Sequence, residues 1–163
     1  MKLVLPVTEA LALARAARPL PSMITDVRAH GSAVEADIDA GAVTGSGGGL
    51  RGLMGKMAGT VTVTATFAGF SGGVATFAIK AQARGMSVEG MIGQFAGTIT
   101  RVVTRAGLPA DAVTFREGPS GPELLVDVQK AVEAKVRGVV VEDLAIADGT
   151  AHVSAAVGAA SRV

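Results

Sequence analysis

The sequence predicts an α+β fold, a mainly antiparallel β-sheet covered by a long helix, and two patterns lead to that prediction. The first is a series of short segments in which apolar and polar residues alternate, separated by glycine-containing turns. The second is residues 87–106, where apolar side chains recur every three or four positions over about five turns. The 163 residues, 49% of them apolar, fit a single domain spanning residues 1–163.

The N-terminal third predicts a strand, a helix and a hairpin. Residues 3–7 are short, branched and apolar, which is typical of a strand, and Thr8 can cap a helix that ends before Pro19. Residues 23–29 and 33–38 flank a turn at residues 30–32. In the second of these segments the acidic residues alternate with apolar ones. We therefore expect Asp37 and Asp39 to lie on a solvated strand face rather than to act as a catalytic pair.

The remaining elements follow from the same two periods. Residues 60–67 (TVTVTATF) alternate threonine with apolar residues, and residues 74–82 return antiparallel after a glycine turn. The long helix at 87–106 comes next and is followed by strands at 112–116 and 123–128. A short helix at 129–137 then precedes a hairpin of residues 139–146 and 150–157, which turns at Asp148-Gly149.

Residues 2–38 and 123–157 share the order strand, helix, strand, strand. Aligned without a gap, residues 2–7 fall on residues 123–128, and residues 24–27 fall on 141–144 after a length adjustment. Two interpretations stay open: a β-α-β-β pseudo-repeat around the central hairpin and helix, or the chance recurrence of a common order.

The segment 41–59 holds eight glycines in nineteen residues and is expected to be the least rigid part of the chain. From Gly41 to Ala110 six basic residues face one acid, a charge of +5, while the remainder carries −4. Within the long helix, three glycines at 90, 93 and 97 predict a groove that permits close approach of another backbone or a ligand chain, or close packing of the helix on its own sheet. The candidate ligand or membrane contacts are the apolar face and adjacent cations of a short amphipathic helix: Leu50, Arg51, Leu53, Met54, Lys56 and Met57. The candidate groove residues are Gly90, Gly93 and Gly97.

Several classes of function are disfavoured. The absence of cysteine excludes thiolate chemistry, and a net charge of +1 with Phe as the only aromatic argues against nucleic-acid binding. A G-x-G-x-x-G match at residues 47–52 lacks the βαβ context of a dinucleotide site. His30 and His152 sit near hairpin turns without ligand spacing, so no metal, cofactor or catalytic residue is predicted.

Because charges interrupt residues 1–21, a signal peptide is not expected and a cytoplasmic protein is the default.

The sequence therefore favours a non-enzymatic binding protein for an apolar ligand or an anionic membrane surface. The alternative is a homo-oligomeric structural or interaction module without a small-molecule ligand. An enzyme that uses His30 or His152 is the third and weakest hypothesis. The apolar side of the helix at residues 50–57 can pack against a ligand, a second copy of the chain or the protein's own sheet. Amphipathicity alone does not decide among these three.

Overall fold

The computed structural model describes residues 1–17, 19, 22–39, 60–83, 86–87, 96–105 and 107–158. These residues form ten strands, three α-helices and one 3₁₀ turn. In chain order they are β1 (Lys2–Pro6), α1 (Val7–Ala17), β2 (Ile24–His30), β3 (Ala33–Asp39), β4 (Thr60–Ser71), β5 (Val74–Ala83), β6 (Met86–Ser87), α2 (Ala96–Arg105), the 3₁₀ turn (Ala110–Ala112), β7 (Val113–Gly118), β8 (Gly121–Asp127), α3 (Val128–Glu133), β9 (Val139–Ala147) and β10 (Thr150–Val157).

The strands of the described residues divide into a large and a small sheet. The large sheet has the order β2-β3-β4-β5-β8-β7, with β6 pairing to β5 as its seventh strand, and the small sheet has the order β1-β10-β9. Every strand pair is antiparallel, which confirms the predicted mainly antiparallel α+β class. The pairing of β1 with β10 brings the first and last described strands of the chain together.

The long helix predicted over residues 87–106 is wrong at its start. Met86 and Ser87 form β6 and pair with Ala83 and Gln82 of β5, so Ser87 continues the sheet instead of beginning a helix. The described helix is α2, Ala96–Arg105, which lies against β7 and the 3₁₀ turn. At Ser87, hydrogen bonding to the neighbouring strand β5 has prevailed over the helix that the apolar spacing predicts. The intervening residues 88–95 lie outside the described residues.

The order strand, helix, strand, strand occurs twice, as β1-α1-β2-β3 and as β8-α3-β9-β10. The junction between strand and helix is built in the same way in both units. The Val7 N–H donates to the Gly149 carbonyl at 2.8 Å, and the Val128 N–H donates to the Gly73 carbonyl at 2.9 Å. Each acceptor is the second residue of a two-residue hairpin turn and is a glycine with positive φ, 71° at Gly149 and 83° at Gly73. The two valines are the residues that the gap-free alignment superposed.

The two units differ in the neighbours of their first strands, β1 and β8. Strand β1 pairs directly with β10, the last strand of the other unit, whereas the β4–β5 hairpin separates β8 from β3. This inserted hairpin makes one sheet large and leaves the other small. Gly149 joins the sheets, because its N–H donates to the Gly31 carbonyl at 2.8 Å while its own carbonyl binds the first residue of α1.

Candidate functional site

One face of the large sheet is apolar across six strands. Directly opposed residues of antiparallel strands point to the same side of a sheet, so the pairing register assigns each side chain to a face. We call the resulting set the apolar face: Ile24, Val27 and Ala29 on β2; Val34, Ala36 and Ile38 on β3; Val61, Val63, Ala65, Phe67 and Phe70 on β4; Ala75, Phe77, Ile79, Ala81 and Ala83 on β5; Leu124 and Val126 on β8; Val113 and Phe115 on β7.

Burial of the apolar face is greatest at its centre. Four of the five β5 residues are buried, Ala75, Ile79, Ala81 and Ala83, together with Val61 of β4. Every member on β2, β3, β7 and β8 is only half-buried. The central part therefore serves as core, while the flanking strands keep part of their apolar surface accessible.

An aromatic pair lies at one end of the buried centre. The rings of Phe67 and Phe77, directly opposed on β4 and β5, meet edge to face with centroids 5.8 Å apart. Both side chains are half-buried. This geometry adds to the area that the pair buries and fixes the two rings relative to each other. Beyond the pair, β4 carries a bulge between Phe67 and Gly69, so Phe70 returns to the apolar face opposite Ala75.

The opposite face of the same sheet is polar and carries an ion-pair cluster. Arg28 of β2 binds three carboxylates: Asp37 at 2.7 Å, Asp26 at 2.9 Å and Glu35 at 3.1 Å. The Thr62 hydroxyl donates to Asp37 at 2.9 Å. The alternation of β2, β3 and β4 places these groups on one side of the sheet, as the Asp37/Asp39 pattern predicted for a strand exterior.

The contacts of Asp37 define its charge state. Hydrogen bonds from the Arg28 guanidinium hold the pKa of the Asp37 carboxyl below its ordinary value, and the Thr62 hydroxyl acts in the same direction. The carboxylates in turn raise the pKa of Arg28. A carboxyl that stays ionised and bound to a guanidinium is poorly suited to proton transfer near neutral pH. This cluster is a structural element of the sheet.

The small sheet also has an apolar side. Its cross-strand rows are Leu3–Val153–Leu144 and Leu5–Ala151–Ile146. Among these, Leu3 is 53% exposed. Strand β9 lies beside β4 of the large sheet, and Val141 and Ala155 of the small sheet are buried. Both sheets therefore present half-covered apolar side chains.

A hollow of about 480 Å³ lies where the β4–β5 turn, α3 and β9 meet. Its lining combines the apolar residues Phe70, Val140 and Val141 with the acidic residues Glu133, Glu142 and Asp143. In the described part of the chain, no three His, Asp or Glu side chains are placed to hold a metal ion together. The hollow is open, and its three carboxylates set it apart from an enclosed apolar ligand pocket.

Most of the residues predicted from sequence cannot be placed. Leu50, Arg51, Leu53, Met54, Lys56, Met57, Gly90 and Gly93 lie outside the described residues, as do the expected glycine-rich segment 41–59 and the G-x-G-x-x-G match. Gly97 lies in α2. His30 lies in the large sheet, its Nε2 4.0 Å from the Glu35 carboxylate, whereas His152 lies in the small sheet, and both are exposed.

Sequence reasoning missed the extent of the apolar face. It identified the apolar sides of β4 and β5 but treated β2, β3, β7 and β8 separately, because the order of strands in a sheet is not written in local alternation. Within the helices that the structure describes, none combines the length and hydrophobicity that crossing a bilayer requires. Comparisons with protein-family models, with curated proteins and with solved structures find no match for this chain.

Proposed function

We propose that this chain is a non-enzymatic binding protein whose apolar face holds an apolar ligand, such as the acyl chain of a lipid. One observation carries the proposal: the apolar face extends over six strands, while its members on β2, β3, β7 and β8 are half-buried. Monomeric soluble proteins rarely leave large contiguous apolar surface accessible unless it binds something.

The chemistry of the face suits an unbranched hydrocarbon. Its members offer only methyl, methylene and phenyl groups, so contact with a ligand is non-directional. Removal of apolar area from water stabilises the complex by about 25 cal/mol per Å². The opposite face carries the Arg28 cluster, in which a guanidinium, three carboxylates and the Thr62 hydroxyl bind one another. A chain-like ligand is therefore expected on one side of the sheet only.

Two further parts of the proposal rest on the sequence. Residues 88–95, with α2, would contribute the cover over the apolar face, and residues 50–57, with Arg51 and Lys56, would contact an anionic membrane surface. A basic, amphipathic and methionine-containing segment is typical of such contacts. This arrangement would let the protein collect or release its ligand at a bilayer.

The absence of tryptophan and tyrosine offers a clean test. Phe115 and Thr114 are neighbours on β7 and point to opposite sides of the sheet, toward the partners Leu124 and Leu125 respectively. We would place a single tryptophan at each position in turn, as Phe115→Trp and Thr114→Trp. Each variant is then mixed with a phospholipid whose acyl chain carries bromine, which quenches indole fluorescence on contact.

We expect the brominated chain to quench Phe115→Trp and to leave the matched Thr114→Trp control unchanged. Native mass spectrometry of the purified wild type should also show the mass of a retained lipid. Quenching of the Thr114→Trp variant alone would put the ligand on the other face. A wild type without added mass, together with an unquenched Phe115→Trp variant, would refute the proposal.

The alternative function is a homo-oligomeric structural or interaction module. Exposed apolar residues on the small sheet favour it, among them Leu3, Val4, Val140 and Val157. Native mass spectrometry separates the two functions, because a stable oligomer without bound lipid would support the alternative.

A further inference from the structure

Apart from the two-residue β6, the two sheets of the described residues have four outer edges, and these edges differ in how they are covered. At β2, the Arg15 side chain of α1 donates to the Val27 carbonyl at 2.7 Å. At β9, the Gln129 side chain of α3 binds the backbone of Val139 and Val141 at 2.9 and 2.8 Å. At β7, helix α2 packs against the strand, which also carries exposed Arg116 and Glu117. Helices and charges of this kind deter pairing with a foreign strand.

Strand β1 is the exception. Its inner neighbour is β10, and no described residue forms a hydrogen bond to its outer edge. Val4, at the centre of the strand, is 60% exposed, and Leu3 beside it is 53% exposed. Lys2 is the one charged residue of β1 and lies at its end. The centre of this edge is therefore apolar, uncharged and open.

The hydrogen bonds of β1 identify which backbone groups are free. Ala155 N–H donates to the Met1 carbonyl at 2.9 Å, and Val7 N–H donates to the Gly149 carbonyl at 2.8 Å. In an antiparallel pair the residues that bond to a given neighbour alternate along the strand, so the odd-numbered residues of β1 face β10. The N–H and C=O groups of Lys2 and Val4 point outward, as does the C=O of Pro6, which has no N–H.

These free groups complement a second copy of themselves. When two β1 strands run antiparallel about a twofold axis at Val4, each Val4 exchanges two hydrogen bonds with the other Val4. Each Lys2 N–H then meets a Pro6 carbonyl, so the missing N–H of Pro6 leaves no donor unmatched. Leu3 of one copy lies opposite Leu5 of the other, which extends the apolar side of the small sheet across the junction.

We propose that β1 is the docking edge for a second copy of this chain, which joins the two small sheets into one continuous six-stranded antiparallel sheet. The contact is isologous, as twofold-symmetric dimers require, because the same residues supply both sides. It leaves the apolar face of the large sheet untouched. An experiment that disproves this dimer contact would therefore leave the proposed ligand site untouched.

The test uses sedimentation velocity and two pairs of variants of the full chain. Val4→Pro removes the outward N–H at the twofold axis, and proline is tolerated on edge strands because that N–H serves no bond within the sheet. Val4→Ala, which keeps the N–H, is its matched control. We expect twice the chain mass for the wild type and for Val4→Ala. For Val4→Pro we expect a single chain mass with an unchanged far-UV circular dichroism spectrum.

Single cysteines test the register in a chain that has none of its own. Paired residues at the axis have Cα atoms about 5.5 Å apart, which a disulfide spans, so Val4→Cys should form a covalent dimer under mild oxidation. Lys2→Cys is the matched control, since the register separates the two copies by about 14 Å along the strand. A wild type with a single chain mass would overturn the proposal. So would a Val4→Pro variant that stays dimeric, or a Lys2→Cys variant that cross-links as readily as Val4→Cys.

Discussion

Gln129 of α3 binds Val141 of β9 as a neighbouring strand would. The Val141 N–H donates to the Gln129 Oε1 at 2.8 Å, while the Gln129 Nε2 donates to the Val139 carbonyl at 2.9 Å. One side chain thus satisfies a donor and an acceptor on a strand edge. Val141 is a buried residue of the small sheet. Loss of this contact would therefore leave its N–H without a hydrogen-bond partner and away from water.

Replacement of Gln129 should therefore destabilise the protein. Gln129→Met keeps the length of the side chain and removes both bonds, and we expect the free energy of unfolding to fall by about 1–3 kcal/mol. Glu133→Ala is the control, because it removes only the exposed contact that the Gln129 Nε2 also makes at 2.7 Å. Urea unfolding followed by circular dichroism measures both. Equal losses in the two variants would show that the β9 edge does not depend on Gln129.

Gly73 illustrates a position where glycine is required twice over. Its φ is +83°, and a Cβ added there would lie 2.9 Å from the Cβ of Gln129. Its neighbour Gly72 has a similar φ of +59° but nothing within 4 Å of an added Cβ. We expect Gly72→Ala to cost about 1–2 kcal/mol for the left-handed backbone alone, and Gly73→Ala to cost clearly more because α3 must also move. Thermal unfolding of the two variants compares them directly, and equal costs would contradict the close packing of α3 on this turn.

The Arg28 cluster predicts a dependence of stability on pH. The pKa of Asp37 is lowered in the folded protein from its ordinary value of 3.8, so the unfolded chain binds a proton more readily. The stabilisation from this group is complete above the ordinary pKa and is lost as pH falls through the folded value. Between about pH 5 and about pH 3 the wild type should thus lose more unfolding free energy than Asp37→Asn does.

The control for that experiment is Asp26→Asn, which removes the more exposed partner of Arg28 and leaves Asp37 in place. It should keep the wild-type dependence on pH. Urea midpoints measured by circular dichroism at several pH values give the comparison. A wild type and an Asp37→Asn variant with parallel profiles would show that Asp37 does not contribute through its pKa.

The membrane part of the proposal predicts binding to anionic liposomes at low salt. Burial of apolar side chains is worth about 1.5–3 kcal/mol each when complete, and each nearby cation adds about 1 kcal/mol on an anionic surface. We expect the wild type to sediment with the liposomes and Leu53→Glu/Met57→Glu to stay in the supernatant. Thr44→Glu/Ser46→Glu makes the same charge change off the predicted face and should still sediment. A wild type that stays in the supernatant would exclude the membrane contact, and equal binding of all three would place the contact elsewhere.

Local pattern was sufficient for most strands of the fold. The alternation at residues 33–38 and 60–67 predicted β3 and β4, and Asp148-Gly149 predicted the turn between β9 and β10, where Asp148 and Gly149 both have positive φ. The pairing of β1 with β10 and the insertion of β4–β5 between β3 and β8 were not predictable, since long-range pairing leaves no trace in local periodicity. Ser87 shows the same limit, because a two-residue strand interrupts a helical period that reads as continuous.

The candidate site was predictable only in part. The apolar residues of β4 and β5 stood out, yet the face they belong to depends on the register with β2, β3, β7 and β8. Gln129 and Arg15 were not identified as edge-binding residues, because a polar residue on a helix gives no indication of which backbone it reaches.

The pairing of β1 with β10 also sets an order of events during synthesis. At about 5–20 residues per second, a ribosome needs roughly 7–30 s to pass from the end of β1 at Pro6 to the start of β10 at Thr150. Throughout that interval the nascent segment of residues 3–5 lacks the neighbouring strand to which its backbone hydrogen-bonds in the folded protein. Strand β1 is thus the first of the described strands to be synthesised and among the last to gain its neighbour in the sheet.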